Sequence, residues 1–240
     1  MALKSMKNIF VLTGAGISSE SGISTFRDSN GLWENHKIEE VATPQGFKNN
    51  PELVFKFYNA RRNQVRNALP DDSHFSLSKL EEKFSGKFNL ITQNVDDLHE
   101  RAGSKKLIHM HGELSKARCT STQKIINWDG NFDQNTICPC CENRGFMRPH
   151  IVWFNEMPLK MDIIQSYLNQ CDLFISIGTS GAIYPAATFV QMAKLHKPCH
   201  TIEVNVTQTE ISNYFDDIRI GKASIEVPKL VEEILNSKDV

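Results

Sequence analysis

The sequence predicts an α/β fold: a doubly wound parallel sheet carrying a smaller inserted lobe. Three observations lead there. Short apolar, β-branched runs recur along the chain and each runs into Gly, Gln-Asn, His or Asn, as expected of strands buried on both faces. Helix-like stretches separate them, and strand–helix alternation specifies a parallel sheet with helical crossovers. Two stretches, 30–76 and 113–149, break the alternation and read as insertions.

The elements follow in order. Residues 7–13 form the first strand and run into Gly14. Strand 88–92 runs into Gln93-Asn94, 107–110 into His111-Gly112, 173–177 into Gly178-Thr179-Ser180, and 201–204 into Asn205. Helices are expected over 52–67, 73–84, 186–195 and 229–235, with Pro51 and Pro228 just ahead of two of them, where a helix start tolerates proline. The 240 residues amount to one large domain or a domain with an insert, at roughly 150 residues per domain. The division expected is 1–29, 77–112 and 150–240 for the sheet domain, with 30–76 and 113–149 forming the small one.

Composition excludes several classes of function. Lys and Arg number 27 against 28 Asp and Glu, a net charge of −1, which argues against nucleic-acid or anionic-membrane binding by bulk charge. With 40% apolar and 23% charged residues the chain is an ordinary globular one and not a disordered one. No apolar run reaches the ~18 residues of a membrane span. Lys4 and Lys7 precede only a short apolar stretch, 9–12, with no small-residue cleavage site, so a signal peptide is not expected and the reading is cytoplasmic. Of six cysteines, Cys119, Cys138, Cys140 and Cys141 crowd together, apart from Cys171 and Cys199. In a reducing compartment such a cluster suggests metal rather than disulfide.

The polar clusters all sit where strands end, the edge at which doubly wound sheets bind ligands. The first is Gly14-Ala15-Gly16-Ile17-Ser18-Ser19-Glu20-Ser21-Gly22. Its glycines suit a pyrophosphate approached by backbone, and equally a plain tight turn. The acidic residue that ends the second strand of ordinary dehydrogenases is not evident. Phe26-Arg27 follows, and can cover a cofactor or stand in solvent. Thr92-Gln93-Asn94-Val95-Asp96 offers amides and a carboxylate to a nicotinamide amide or ribose hydroxyls, or caps a helix. His109 and His111 share one face of their strand. His111, at the strand exit beside Gly112, suits a general base near pH 7, whereas His109 lies further inside and reads as structural. Cys138 and Cys141 form an intact C-x-x-C pair, but Thr122 stands where the partner of Cys119 is needed, and Thr is not a zinc ligand. Cys140 can supply the fourth sulfur, although its neighbour Cys141 makes the geometry awkward. Any zinc held by Cys119, Cys138 and Cys141 would be structural.

In this order the pieces resemble the sirtuin family of NAD-dependent protein deacylases. The resemblance rests on Gly14-Ala15-Gly16-Ile17-Ser18, Gly22-Ile23-x-x-Phe26-Arg27, Thr92-Gln93-Asn94-x-Asp96, His111-Gly112, Gly178-Thr179-Ser180 and Glu203-x-Asn205, spanning roughly 10–223. Tyr58-x-x-Arg61 and the stretch 147–154 are similar to the bacterial class III branch. The resemblance implies a Rossmann-like NAD-binding domain and a small domain with helical and zinc-type modules. It implies that an acyl-lysine carbonyl oxygen attacks C1′ of the nicotinamide ribose, nicotinamide leaves, and His111 then acts as general base on the ribose hydroxyls. Free lysine and an acyl-ADP-ribose ester result.

By the same resemblance, Asn94 and Asp96 order ribose and nicotinamide. Gly14, Ala15, Gly16, Ile17, Gly22, Phe26, Arg27, Gln93, Gly178, Thr179, Ser180, Asn205 and Ala223 hold the dinucleotide. Tyr58 and Arg61, three apart on a helix, read the acyl chain; a guanidinium forks onto a carboxylate, so succinyl and malonyl groups join acetyl as expected substrates. Ala42 leaves room for the acyl tail. Val152, Phe154 and Asn155 meet the peptide backbone, with Asn155 standing where the family usually has Gly. Acyl-lysine proteins are the expected partners, without membrane or nucleic acid, and a monomer is expected. The alternatives are protein mono-ADP-ribosyl transfer on the same fold, an NAD- or zinc-dependent binding module, and a hydride-transferring dehydrogenase.

Overall fold

A computed structural model describes residues 6–24, 32–33 and 35–237. Six strands, β1 (Asn8–Thr13), β4 (Lys87–Thr92), β5 (Leu107–His109), β9 (Leu173–Ile177), β10 (His200–Asn205) and β11 (Asp217–Ile220), form one sheet. The order is β11-β10-β9-β1-β4-β5 and every pairing is parallel. The chain works outward from β1 through β4 to β5, then returns to β9 on the other side of β1. That reversal between β1 and β9 is the topological switch point of a Rossmann-type sheet.

Period-two alternation splits the core. Ile9 and Val11 of β1 face one layer with Leu90, Ile175, Ile202 and Val204, under α4 (Asp72–Lys83) and α8 (Ala223–Asn236). Phe10 and Leu12 face the other with Ile91 and Phe174, under α6 (Met161–Leu168) and α7 (Phe189–Leu195). Buried apolar side chains thus cover both faces of β1, which is why its sequence shows no polar alternation.

Two further clusters lie outside the sheet, reached through the short antiparallel pair β2 (Leu32–Trp33) and β3 (His36–Lys37) and the short helices α1 (Ile38–Val41) and α2 (Pro44–Asn49). The 17-residue α3 (Pro51–Asn67) starts at the Asn50 cap, whose side chain accepts from Leu53 N at 3.1 Å. Its Val54, Phe57 and Tyr58 pack with Val41, Ala42, Leu114, Ile151 and Trp153. Its Phe55 turns toward Ala117, Cys119, Phe132, Cys138 and Met147. The second cluster belongs to an antiparallel sheet of β6 (Gly112–Cys119), β7 (Ile125–Asn127) and β8 (Met147–Ile151), order β7-β6-β8.

The sheet core matches expectation, with several differences; Met161–Leu168, which covers one face of the sheet, and the four-residue helix Leu98–Arg101 are not among the helices expected. Strand β11 was not anticipated, because Asp217–Ile220 is half-exposed at the sheet edge and carries charge. The segment 113–149 holds strands as well as turns. Pro228 lies inside α8, which begins at Ala223 rather than beyond the proline. A proline here removes one intrahelical amide donor, and the apolar face of Val227, Leu230, Val231 and Ile234 against the sheet outweighs that loss.

Candidate active site

The exits of β1 and β9 touch at the switch point. Gly14 N donates to Ile177 O and Gly16 N to Gly178 O, both at 2.9 Å. A Cβ on Gly14 would lie 2.8 Å from Gly178 O, and one on Gly16 2.6 Å from Gly178 Cα. Gly178 has φ +61°, which glycine adopts without penalty. The glycines therefore let the two backbones meet at the switch point. Among the other residues expected here, Asn205 Nδ2 donates to Thr179 O at 2.8 Å, and Ala182 N donates to Ser180 Oγ at 3.2 Å. Ala223 opens α8, Gly22 turns with φ +83°, and Gln93 lines a small cleft with Ser176, Thr179 and Gly181. Phe26 and Arg27 lie outside the described residues.

One network joins the glycine turn to the exit of β4. Asn94 Nδ2 donates to Gly14 O at 3.2 Å and to Ser18 Oγ at 3.0 Å; Ser18 Oγ donates to Asp96 Oδ2 at 3.1 Å. Asp96 Oδ1 also takes Leu98 N at 3.2 Å, at the start of α5 (Leu98–Arg101). Asp96 thus serves the site and a helix start at once. Burial pushes its carboxyl up, against the hydrogen bonds from Leu98 and Ser18.

His111 sits beside this network. Its Nδ1 lies 3.1 Å from Gln93 O. A carbonyl only accepts, so Nδ1 carries the proton and Nε2 keeps its lone pair. Burial holds its pKa below the ordinary histidine value, against the Gln93 hydrogen bond. A side chain at Gly112, φ +84°, would run into the His150 carbonyl, so the turn behind the imidazole requires glycine. His109 lies further inside and is held at both ring nitrogens. Its Nδ1 faces Asn94 O at 3.1 Å and its Nε2 Glu100 Oε1 at 2.7 Å. Both partners accept, so the surroundings favour the imidazolium form. Burial opposes that charge, but Glu100 and Glu113 outweigh it and raise the pKa.

The segment 152–156 lies alongside His111. Val152 N donates to His111 O at 2.8 Å, and Phe154 N to Ala42 O at 2.9 Å. Asn155 has φ +71°, which Asn tolerates better than most residues. Glu156 braces this segment, accepting from Trp153 N at 2.9 Å and from both Arg148 terminal nitrogens at 2.6 and 2.9 Å. Tyr58 is fully buried, and its hydroxyl accepts from Trp153 Nε1 at 2.9 Å. Burial pushes its phenol up, so it keeps its proton. Arg61 is half-buried, 5.3 Å from the Phe57 ring.

The sulfurs of Cys119, Cys138, Cys140 and Cys141 lie within 4.8 Å of one another. Cys119–Cys141 is 3.8 Å and Cys138–Cys140 3.4 Å, close to the ~3.8 Å edge that Zn–S bonds of ~2.3 Å give a tetrahedron. The awkwardness expected of adjacent Cys140 and Cys141 does not arise, because the chain turns between them. Thr122 gives its hydroxyl to the same group, 3.2 Å from Cys140 Sγ, as a neighbour of the sulfurs. The donor set fits a structural zinc.

Sequence reasoning passed over Ser18 and Glu20 as site residues. Ser18 bridges Asn94 and Asp96. Glu20 takes Ser224 Oγ at 2.7 Å and Lys222 Nζ at 3.0 Å, tying the glycine turn to α8. The motif itself contained Ser18; the contacts of Glu20 cross some two hundred residues and leave no local pattern.

Comparison with known proteins agrees with this geometry. The model of the Sir2 family matches residues 14–185. A protein named NAD-dependent protein deacylase from Vibrio vulnificus is 54% identical over 95% of this chain and 94% of its own. One of the same name from Salmonella typhimurium is 51% identical over 95% and 84%. Among solved structures, a Sir2 homologue complexed with ADP-ribose superposes with a TM-score of 0.90 at 37% identity, covering 99% of this chain and 96% of that one. A Sir2 homolog–NAD complex gives 0.88 at 37%, covering 99% and 93%. A Sir2 protein bound to a myristoylated histone peptide gives 0.77 at 30%, covering 99% and 95%. With the family's model matched over most of the chain and a Rossmann-type sheet bearing its motifs, this chain belongs to the Sir2 family.

Proposed function

We propose that this protein is an NAD-dependent protein-lysine deacylase, releasing nicotinamide, free lysine and an O-acyl-ADP-ribose. The observation that carries the reading is the juxtaposition of His111, with Nε2 unprotonated, and the Asn94–Ser18–Asp96 network beside the glycine cradle. NAD bound there supplies the electrophilic ribose carbon that accepts the acyl oxygen. Gly14, Ala15, Gly16, Ile17, Gly22, Gln93, Gly178, Thr179, Ser180, Asn205 and Ala223 hold it, Phe26 and Arg27 cover it, and Asn94 and Asp96 orient its ribose and amide. An electron-poor centre calls for such an amide- and carboxylate-bearing pocket. His111 Nε2 then takes a ribose hydroxyl proton, a role matched by its lowered pKa.

The acyl-lysine peptide runs along Val152, Phe154 and Asn155, braced by Glu156. Tyr58 and Arg61 read the acyl tail beside Ala42, so succinyl and malonyl groups are removed as well as acetyl. Cys119, Cys138 and Cys141, with Cys140, hold one structural zinc. The NAD-holding unit is 1–29, 77–112 and 150–240, and 30–76 with 113–149 form the small domain. Among the described residues no helix is long and apolar enough to cross a membrane, and all six cysteines are free, which fits action in the cytoplasm.

The dehydrogenase reading is disfavoured because β4, the next strand of the sheet after β1 in the chain, runs out into Thr92-Gln93-Asn94 with no carboxylate at the strand end itself. Mass spectrometry of lysine peptides carrying acetyl, succinyl or malonyl groups, with and without NAD, tests the proposal. NAD-dependent loss of the acyl mass with stoichiometric nicotinamide supports it. Transfer of label from NAD to protein without acyl loss identifies ADP-ribosyl transfer instead.

A further inference from the structure

Cys171 and Cys199 belong neither to the active site nor to the four-cysteine cluster. Cys171 lies between α6 and β9, and Cys199 immediately precedes β10. Their sulfurs are 3.3 Å apart. The parallel pairing of β9 with β10 sets Leu173 opposite His200, and it extends one residue further because His200 N donates to Asp172 O at 2.9 Å. Cys171 and Cys199 are therefore offset by one residue across adjacent strand ends. A strand separation of ~4.8 Å and a rise of ~3.3 Å put the two Cα atoms about 6 Å apart, within the range a disulfide spans.

The two thiols differ in access. Cys171 is fully buried, with its Sγ 3.1 Å from Leu168 O. Cys199 is 7% exposed. It lines an open cleft of about 590 Å³ together with Lys194, Lys197, His200 and Asp216. Charged groups facing the pair are Lys197, whose Nζ lies 2.6 Å from Asp172 Oδ1, and Asp172 itself. A hydrogen bond from Cys171 and the Lys197 ammonium hold the Cys199 thiol below its ordinary value against burial, whereas Cys171 is pushed up. The thiol at the cleft is thus the nucleophile, and the fully enclosed one its reserve partner.

We propose that Cys199 and Cys171 form a redox-modification site that reacts with hydroperoxides and closes to an intramolecular disulfide. The Cys199 thiolate attacks the outer oxygen of the hydroperoxide and breaks the O–O bond. It becomes a sulfenic acid while the other oxygen leaves as alcohol or water. Cys171 gives up its proton, its sulfur attacks the sulfenic sulfur, and water leaves. Two thiols lose two electrons and the hydroperoxide gains them. The pair sits at the amino ends of β9 and β10, roughly 20 Å along the strands from the Gly178 and Asn205 edge. The cross-link therefore marks the scaffold and leaves the NAD cradle open.

The experiment treats the reduced full-length protein with hydrogen peroxide, blocks remaining thiols, and maps peptides without reduction. The expected product is a Cys171–Cys199 linked peptide lighter by two hydrogens. In Cys171→Ser, and in Cys171→Ala should the first fold poorly, Cys199 stops at the sulfenic acid and is captured by dimedone. In Cys199→Ser, Cys171 stays reduced. Oxidation confined to Cys119, Cys138, Cys140 and Cys141, or a Cys199 that takes no dimedone in either Cys171 variant, overturns the proposal.

Discussion

Replacing Gly16 by Ala tests the contact on which the cradle depends. The new Cβ would stand 2.6 Å from Gly178 Cα and 2.9 Å from Gly178 O. Both are main-chain atoms that cannot swing away, and carbon pairs prefer ~3.5–4.0 Å. One turn must therefore retreat from the other by about 1 Å. Overpacking of this kind costs ~1–3 kcal/mol. At ~2–4 °C per kcal/mol for a chain of this size, Tm falls by roughly 2–12 °C. The retreat also breaks the 2.9 Å bond from Gly16 N to Gly178 O at the place proposed to hold the pyrophosphate, so NAD affinity falls more than tenfold, or about 1.4 kcal/mol. Thermal melts and NAD titration by calorimetry read the two effects together. A Gly16→Ala protein with unchanged Tm and unchanged NAD affinity would refute the close approach of the β1 and β9 exits.

Other outcomes follow from the same geometry. Arg61→Met loses desuccinylation far more than deacetylation in parallel peptide assays; equal loss of both removes the selectivity role. Purified protein contains about one zinc per chain by elemental analysis, and Cys140→Ser lowers both zinc content and Tm; full zinc in that variant would show that three cysteines suffice. His111 is held below the ordinary histidine value, about 6.5, and its unprotonated form is the active one. Activity is therefore flat through pH 7 and is lost only as pH falls through that lowered pKa, measured as kcat/KM against pH. A midpoint above 7 contradicts the assignment.

The sheet was legible because β1, β4, β9 and β10 are largely buried on both faces and their sequences show it as near-continuous apolar runs. Strand β11 was not, since an edge strand half in water carries Asp217 and Arg219 and keeps no such signature. The small antiparallel sheet hid for a related reason: β7 is exposed and only three residues long. At the site, motif order marked His111, Asn94 and Asp96. The sequence offered Asp96 either to a ligand or to a helix start, and its bond from Leu98 N supports the second; it could not foretell that Ser18 would join the two polar residues. Those links depend on where β1 and β4 deliver their exits, which is a property of the folded sheet. The fourth sulfur is the clearest case. Spacing argued against Cys140, and only the turn between Cys138 and Cys141 brings it among the others.

The central claim is that His111 acts as base after nicotinamide has left. His111→Ala separates the two stages. Exchange of labelled nicotinamide into NAD, in the presence of an acyl-lysine peptide, reads the first stage. Loss of the acyl group from lysine reads the second. The account predicts that acyl loss falls by ~10²–10⁴-fold while exchange persists. Loss of both to the same extent, or retention of both, would contradict it.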